Sequence, residues 1–394
     1  MMKLFKVAVR CLFIAICISQ VHAQVAGPYD AVYRTAPNYR GGTDTLHVKW
    51  WMPADVGSNK LPLIVWIHGG AFYAGNYVDM TSNCKRWAEE GYVAVSVQYR
   101  LGFWGNLFDP PYAYDRSEIV RAAWRGMQDV RIAIRMLCSG TLVPNIDTSC
   151  VIVAGESAGS ILTLQAIVAD VADSVPAEVD SIASAVRGFD TYPRPSLGDV
   201  DGFPFNSKRV VIPMPHISGI INHYGGLLHP YMLDAAVFPP LFSYHQKNDP
   251  IVACGVNRGL YGMPLGVGDN YPVLTGTCAL VTLLEELGHP ESLRETIIVE
   301  GANHQVDNGA AVYPKEFEFA RNVMCPNPTG VIDDPDVPVS CQPNQWTVID
   351  ILGQVMGNGE GGVEAAQAWI GTTNIRAAFV VVGNQVHPAW KLIR

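Results

Sequence analysis

Charge is scarce in this chain of 394 residues. Only 16% are Asp, Glu, Lys or Arg, while 49% are apolar. That balance excludes a disordered chain and fits a globular protein with a sizeable core and room for more than one domain. Positive charge is scarcer still: 27 Lys and Arg stand against 36 Asp and Glu, a formal net charge of −9. Such an acidic surface disfavours nucleic acid and anionic membranes as partners. No CxxC or HExxH spacing occurs, so neither a metal site nor a cofactor is expected. Internal repeats and low-complexity tracts are absent. The apolar run "CLFIAICI" near the N-terminus has eight residues, too few to cross a bilayer.

That short run has the flanks of an export signal. Lys3, Lys6 and Arg10 precede or enter it, and Val21-His22-Ala23 ends on a small residue before Gln24. Residues 1–23 therefore read as a secretory signal cleaved after Ala23, and removal takes the formal charge from −9 to −12. Seven cysteines follow: Cys84, Cys138, Cys150, Cys254, Cys278, Cys325 and Cys341. An exported chain can keep disulfides. Local pairs suggest Cys138–Cys150, Cys254–Cys278 and Cys325–Cys341, with Cys84 left as a buried thiol, although spacing alone does not fix connectivity.

Along the chain, short β-branched runs alternate with helical patterns. "TLHVKWWMP" (45–53), "LPLIVWI" (61–67), "YVAVSVQ" (92–98), "VIVAG" (151–155), "ISGIINHYG" (217–225), "PPLFSYH" (239–245) and "ETIIVEG" (295–301) read as strands. Helices are expected over 81–91, 117–138, 158–170, near 273–288 and over 315–324. The alternation predicts an α/β architecture with a mostly parallel sheet covered on both faces. Residues 171–216, with weak periodicity and many Pro, Gly and Ser, read as an irregular excursion over the sheet's carboxyl edge. After Met324 a turn-rich acidic stretch leads to short strand-like segments, which predicts a small β-module over 325–394. The expected layout is thus a signal at 1–23, a catalytic domain at 24–324 and the module.

One stretch raises a chemical question. "VIVAGESAGS" (151–160) sets Ser157 between Gly155 and Gly159, where a buried strand meets a helix. A serine on such a sharp turn stands clear of the sheet at a helix N-terminus, and neighbours two places away must be small. A hydroxyl nucleophile needs a base. Of ten histidines, His304 follows a late strand and a glycine-containing loop, where the chain returns to the sheet's carboxyl edge. The others lie in the signal, early strands, loops or the terminal module. An acid must orient the imidazole, and Asp249 follows the strand at 239–245, with Asp234 and Asp307 as rivals. "IHGGAF" (67–72) follows a buried strand, so the N–H groups of Gly69 and Gly70, with that of Ala158, are candidates for an oxyanion hole. His68 reads as a brace for that loop.

These residues resemble the α/β-hydrolase esterases and lipases with an HGG oxyanion loop, including carboxylesterases. "VWIHGGAFYAGN" is similar to their oxyanion segment, "VSVQYRLGFWG" to the strand and loop after it, and "GESAGS", Glu156 included, to their elbow. "FSYHQKNDPIV" and "VEGANHQ" resemble their acid and histidine loops. The resemblance spans about residues 28–324 and implies an α/β-hydrolase fold with Ser157, His304 and Asp249 as a triad. The chain has two oxyanion glycines where many relatives have three, and it lacks most of the large insertions of full-length carboxylesterases. An open site suited to bulky or polymeric esters is therefore expected, with Phe72, Tyr73, Phe103, Trp104 and Glu156 as substrate-binding candidates. Separately, "PNPTG" (326–330), "VIDILGQVM" (348–356), "FVVVGN" (379–384) and the terminal "KLIR" resemble the C-terminal sorting domain of type IX secretion substrates. That resemblance implies a Gram-negative source, the secretion machinery as a partner, and release to or display on the cell exterior. The expectation is a secreted carboxylic ester hydrolase. An amidase or peptidase with the same triad, or a non-catalytic binding protein on the same scaffold, are the alternatives.

Overall fold

The computed structural model describes residues 24–106, 110–205 and 213–323, and the backbone of four strands within 345–388. The expected export signal, Cys325, Cys341, "PNPTG" and the terminal "KLIR" lie outside the described residues.

Eight strands form the main sheet: β1 (Val25–Pro37), β2 (Thr43–Pro53), β3 (Leu61–Ile67), β4 (Val93–Val97), β5 (Ile146–Glu156), β6 (Gly219–His223), β7 (Leu241–Gln246) and β8 (Arg294–Val299). Their order is β1-β2-β4-β3-β5-β6-β7-β8. β1 and β2 are antiparallel, β2 is antiparallel to β4, and every later pairing is parallel. This strand order, with its β4/β3 crossover, is that of the α/β-hydrolase fold. Parallel strands need crossovers, and these carry the helices α1 (Thr81–Glu89), α2 (Arg116–Cys138), α3 (Ala158–Val168) and α4 (Thr277–Glu286), while α5 (Gly309–Val323) follows β8.

Strand periodicity divides the core in two. Leu63, Val65 and Ile67 of β3 and Val151 and Val153 of β5 face one cluster, which α2, α3 and α4 cover with Ile119, Val130, Ile161, Leu162 and Leu280. Ile64, Trp66, Ile152 and Ala154 face the other, covered by Trp87 of α1 and Val312 and Phe319 of α5. With both faces buried, the central strands read as near-continuous apolar runs, which is what made them legible.

The excursion expected at 171–216 is organised by α2. That helix is capped by Asp115, which accepts from Glu118 N–H, and its polar face is buried. Arg121 donates to the carbonyls of Glu178, Asp180 and Pro195. Gln128 donates to those of Leu197 and Asp199, and the indole of Trp124 to that of Gly198. Arg131 and Arg135 both reach the buried Asp201, at 2.9 and 2.7 Å. The excursion also contains a hairpin, Ile182–Arg187 against Asp190–Arg194.

One expected disulfide is present, Cys254–Cys278, and Cys84 is a buried thiol. Cys138 is also a free thiol, so its expected bond to Cys150 does not form. In the C-terminal region Gln345–Asp350, Val355–Glu360, Ala378–Val382 and Gln385–Pro388 pair antiparallel as a four-stranded sheet. Among the described residues no helix is long and apolar enough to cross a membrane.

Candidate active site

Ser157 sits between β5 and α3 with φ 54° and ψ −122°. A non-glycine residue there is strained by about 1–3 kcal/mol and persists only where its surroundings over-determine it. The surroundings do so by contact. A Cβ on Gly155 would lie 2.5 Å from the Gly159 carbonyl and Ser160 N, and one on Gly159 would lie 2.1 Å from the Ile67 carbonyl. The strand–turn–helix corner thus closes only with glycine at both places. Gly159→Ala is expected to cost more than about 3 kcal/mol, because the groups it meets are main chain of β3 and cannot rotate aside. Urea unfolding measures this, and wild-type stability in that variant would contradict the packing.

The Ser157 hydroxyl lies 2.7 Å from His304 Nε2, and His304 Nδ1 lies 2.6 Å from Asp249 Oδ2. A carboxylate only accepts, so Nδ1 carries the proton and donates it. Nε2 is left bare, aimed at the hydroxyl. Asp249 is fully buried. Its other oxygen accepts from the N–H groups of Ile251 and Val252. Burial pushes the Asp249 carboxyl up, but contacts from His245 and His304 outweigh it and hold the group at about 2. It is therefore ionised at neutral pH. His245 is held between Thr277 Oγ1 at 2.7 Å and the Val252 carbonyl at 2.8 Å, and its Nε2 stands 3.4 Å from Asp249. The ring of Tyr224 meets that of His304 edge to face at 4.7 Å. The rival carboxylates are elsewhere: Asp234 caps Ala236 N–H, and Asp307 binds Gln246 and Asn303.

The loop after β3 approaches from the other side. A Cβ on Gly69 would stand 3.2 Å from that of Ser157, so its main chain abuts the serine. Gly70, Ala71 and Phe72 follow with φ of 116°, 50° and 67°. This is the left-handed run that makes consecutive N–H groups converge on an anion. Among the described residues no acceptor takes the N–H of Gly69, Gly70 or Ala71. The N–H of Ala158 opens α3 and has no partner within the helix. Ala71 is a residue the sequence reading missed: it lines the cleft with Ser157 and Ala158. Its left-handed backbone, at an alanine, left no mark in the sequence. His68 braces the loop as expected, with Nδ1 2.7 Å from the Gly69 carbonyl and its ring stacked on Tyr99 at 4.4 Å.

The cleft itself is a narrow apolar slot walled by Phe72, Ile161, Ile251, Val252, Leu260 and Tyr271 beside the serine. Phe72 is therefore at the site. Three expectations about its lining are corrected. Phe103 is fully buried and packs edge to face between Tyr73 and Tyr271, so it supports the wall. Trp104 lies against Tyr39 and Tyr192 in a separate cavity. Glu156 accepts from Asn83 at 2.8 Å and stands 3.8 Å from His223, so its carboxylate is engaged beneath the elbow. Tyr73 packs against the core from a half-buried position.

Beneath the elbow His223 Nε2 meets the fully buried Glu316 at 2.8 Å, while the His223 carbonyl accepts from Ser157 N–H at 3.0 Å. Burial pushes the imidazole down, but the charge of Glu316, then Glu156, lifts it to about 9. A histidine raised above its unfolded value of about 6.5 contributes stability that is fully present below that pH and lost as pH rises through 9. Melting temperature is therefore expected to fall across this window, with a flatter curve in His223→Gln. Parallel curves in the two proteins would remove the assignment.

Against known proteins, the BD-FAE family profile matches residues 50–187. The chain is 30% identical to the fumonisin B1 esterase of Sphingopyxis macrogoltabida over 117 residues, which are 30% of this chain and 22% of that protein. It is 34% identical to carboxylesterase 1C of Rattus norvegicus over 119 residues, 30% of this chain and 20% of that one. The chain spans about a fifth of the length of the curated relatives it matches. A solved esterase of Thermogutta terrifontis in its native form aligns over 79% of this chain and 96% of its own, with 16% identity and a TM-score of 0.44.

Proposed function

We propose that this protein is a serine carboxylic ester hydrolase working through an acyl-enzyme. The observation that carries the reading is the unbroken chain Ser157–His304–Asp249, at 2.7 and 2.6 Å. The similarity to the fumonisin B1 esterase and carboxylesterase 1C supports the choice of bond. In this reading Ser157 Oγ attacks the ester carbonyl as its proton passes to His304 Nε2. Asp249 holds the imidazole and offsets its positive charge. The developing oxyanion is received by main-chain N–H groups of Gly69, Gly70, Ala71 and Ala158. The imidazolium then protonates the leaving alcohol, and water, deprotonated by the same nitrogen, releases the acid.

The slot beside Ser157 bears on the substrate. Its close apolar lining by Phe72, Ile161, Leu260 and Tyr271 supports a short acyl group. On p-nitrophenyl esters, acetate and propionate are expected to exceed octanoate in kcat/KM by about 5- to 150-fold, since overfilling a packed apolar wall costs about 1–3 kcal/mol. A fluorophosphonate probe should label Ser157 stoichiometrically. Absence of labelling in the folded protein removes the hydrolase reading, and equal turnover of octanoate removes the acyl preference.

We also propose that residues 1–23 direct export and that 325–394 serve as a sorting module. The charged and apolar regions of the first segment and the resemblance of the second support this. Mass spectrometry of the mature protein tests both cleavages.

A further inference from the structure

A second concavity of about 400 Å³ lies beside the Phe103–Trp104 loop, within the usual size range of small-molecule sites. Phe103 turns its ring to the wall of the Ser157 slot, and Trp104 turns its own into this cavity. Six guanidinium groups line it: Arg34, Arg40, Arg100, Arg121, Arg125 and Arg194. Three carboxylates pair with them. Asp129 meets Arg34 and Arg100 at 2.7 and 2.8 Å, and Asp115 and Glu118 meet Arg194 at 2.7 and 3.3 Å. Positive charge is thus concentrated here in a chain whose formal charge is −9.

Arg125 shows that this charge is incompletely answered. It is 4% exposed, donates one Nη to the Gly102 carbonyl, and leaves its Nε without a partner among the described residues. Burial, then the charge of Arg100, pushes its guanidinium down to about 9, and it remains a cation at neutral pH. Arg125 lines the cavity and has no carboxylate ion pair among the described residues, so an anion bound there would offset its charge. Aromatic rings share the lining. Trp104 stacks on Tyr192 at 3.6 Å, and Tyr39 meets Trp104 edge-on at 5.1 Å. An inorganic ion would answer the arginines and leave these rings uncovered. A carboxylate with a ring body answers both.

We propose that this cavity is a binding site for an organic carboxylate bearing a ring, separate from the place where Ser157 acts. Calorimetry on the full chain tests it with three probes: benzoate, its neutral counterpart benzamide, and inorganic phosphate. Benzoate is expected to bind saturably, and benzamide and phosphate at least about tenfold more weakly, because a charge-assisted contact and the ring are each needed. Arg125→Met should weaken benzoate at least about tenfold. Arg40 is on the exposed rim, so Arg40→Gln folds normally, and it should weaken benzoate severalfold while p-nitrophenyl acetate turnover stays at the wild-type value. Equal affinity for benzamide or phosphate, no saturable binding at millimolar benzoate, or unchanged benzoate affinity in Arg40→Gln and Arg125→Met overturns the proposal.

Discussion

Ser157→Ala is expected to lower kcat on short esters by roughly 10⁶-fold, with the fold intact. The size follows from what is lost. Among the described residues no other side chain stands at the focus of His304 Nε2 and the N–H groups of the loop after β3. The bare imidazole can still activate water, and the main-chain donors can still receive an oxyanion, so a small residual rate survives. Alanine adopts the same strained backbone as serine, and its methyl fits where the hydroxymethyl was, so stability should change little. Pre-steady-state release of p-nitrophenol and thermal unfolding read the two quantities together. A well-folded variant retaining a burst at wild-type amplitude would mean that the nucleophile is another residue.

The second large effect is that of Asp249→Asn, about 10⁴-fold in kcat. The carboxamide can offer an N–H to His304 Nδ1 where the carboxylate accepted one. The ring then carries its proton on Nε2, the atom that must accept from Ser157. The replacement also removes the negative charge that offsets the imidazolium. His245, 3.4 Å from the same oxygen, has Thr277 and the Val252 carbonyl to hold it, so the damage should fall on catalysis more than on folding. Asp307→Asn serves as control, since among the described residues its carboxylate binds Gln246, Asn303 and Gln305. A greater loss in that control than in Asp249→Asn would move the acid to Asp307.

The residues carrying this chemistry were legible because each follows a strand whose apolar run is itself legible. Ser157, Asp249 and His304, the proposed triad that the structure joins by hydrogen bonds, stand out in the sequence by their place after β5, β7 and β8 and by their order in the chain. β1 was not read. Its stretch "VAGPYDAVYRTAP" is broken by Gly27-Pro28, carries two register shifts against β2, and has Tyr29 and Val32 exposed at the sheet edge, so neither alternation nor burial marked it. The aromatics failed for another reason. Sequence places Phe103 and Trp104 in one loop, but which side of the loop each ring faces is set by Tyr73, Tyr271, Tyr39 and Tyr192, all distant in the chain. Nothing in the sequence marks the arginines of α2 as buried, and only the fold shows that an excursion covers them.

The manner in which α2 holds that excursion has a consequence for divergence. Arg121, Trp124 and Gln128 grip carbonyl oxygens at 178, 180, 195 and 197–199. Every amino acid carries a carbonyl, so this clasp is blind to the identity of what it holds. The segment over 178–199 can therefore accept new side chains facing outward while its path stays tethered. A laboratory library randomised there would sample new surfaces without first having to rediscover a way to fold.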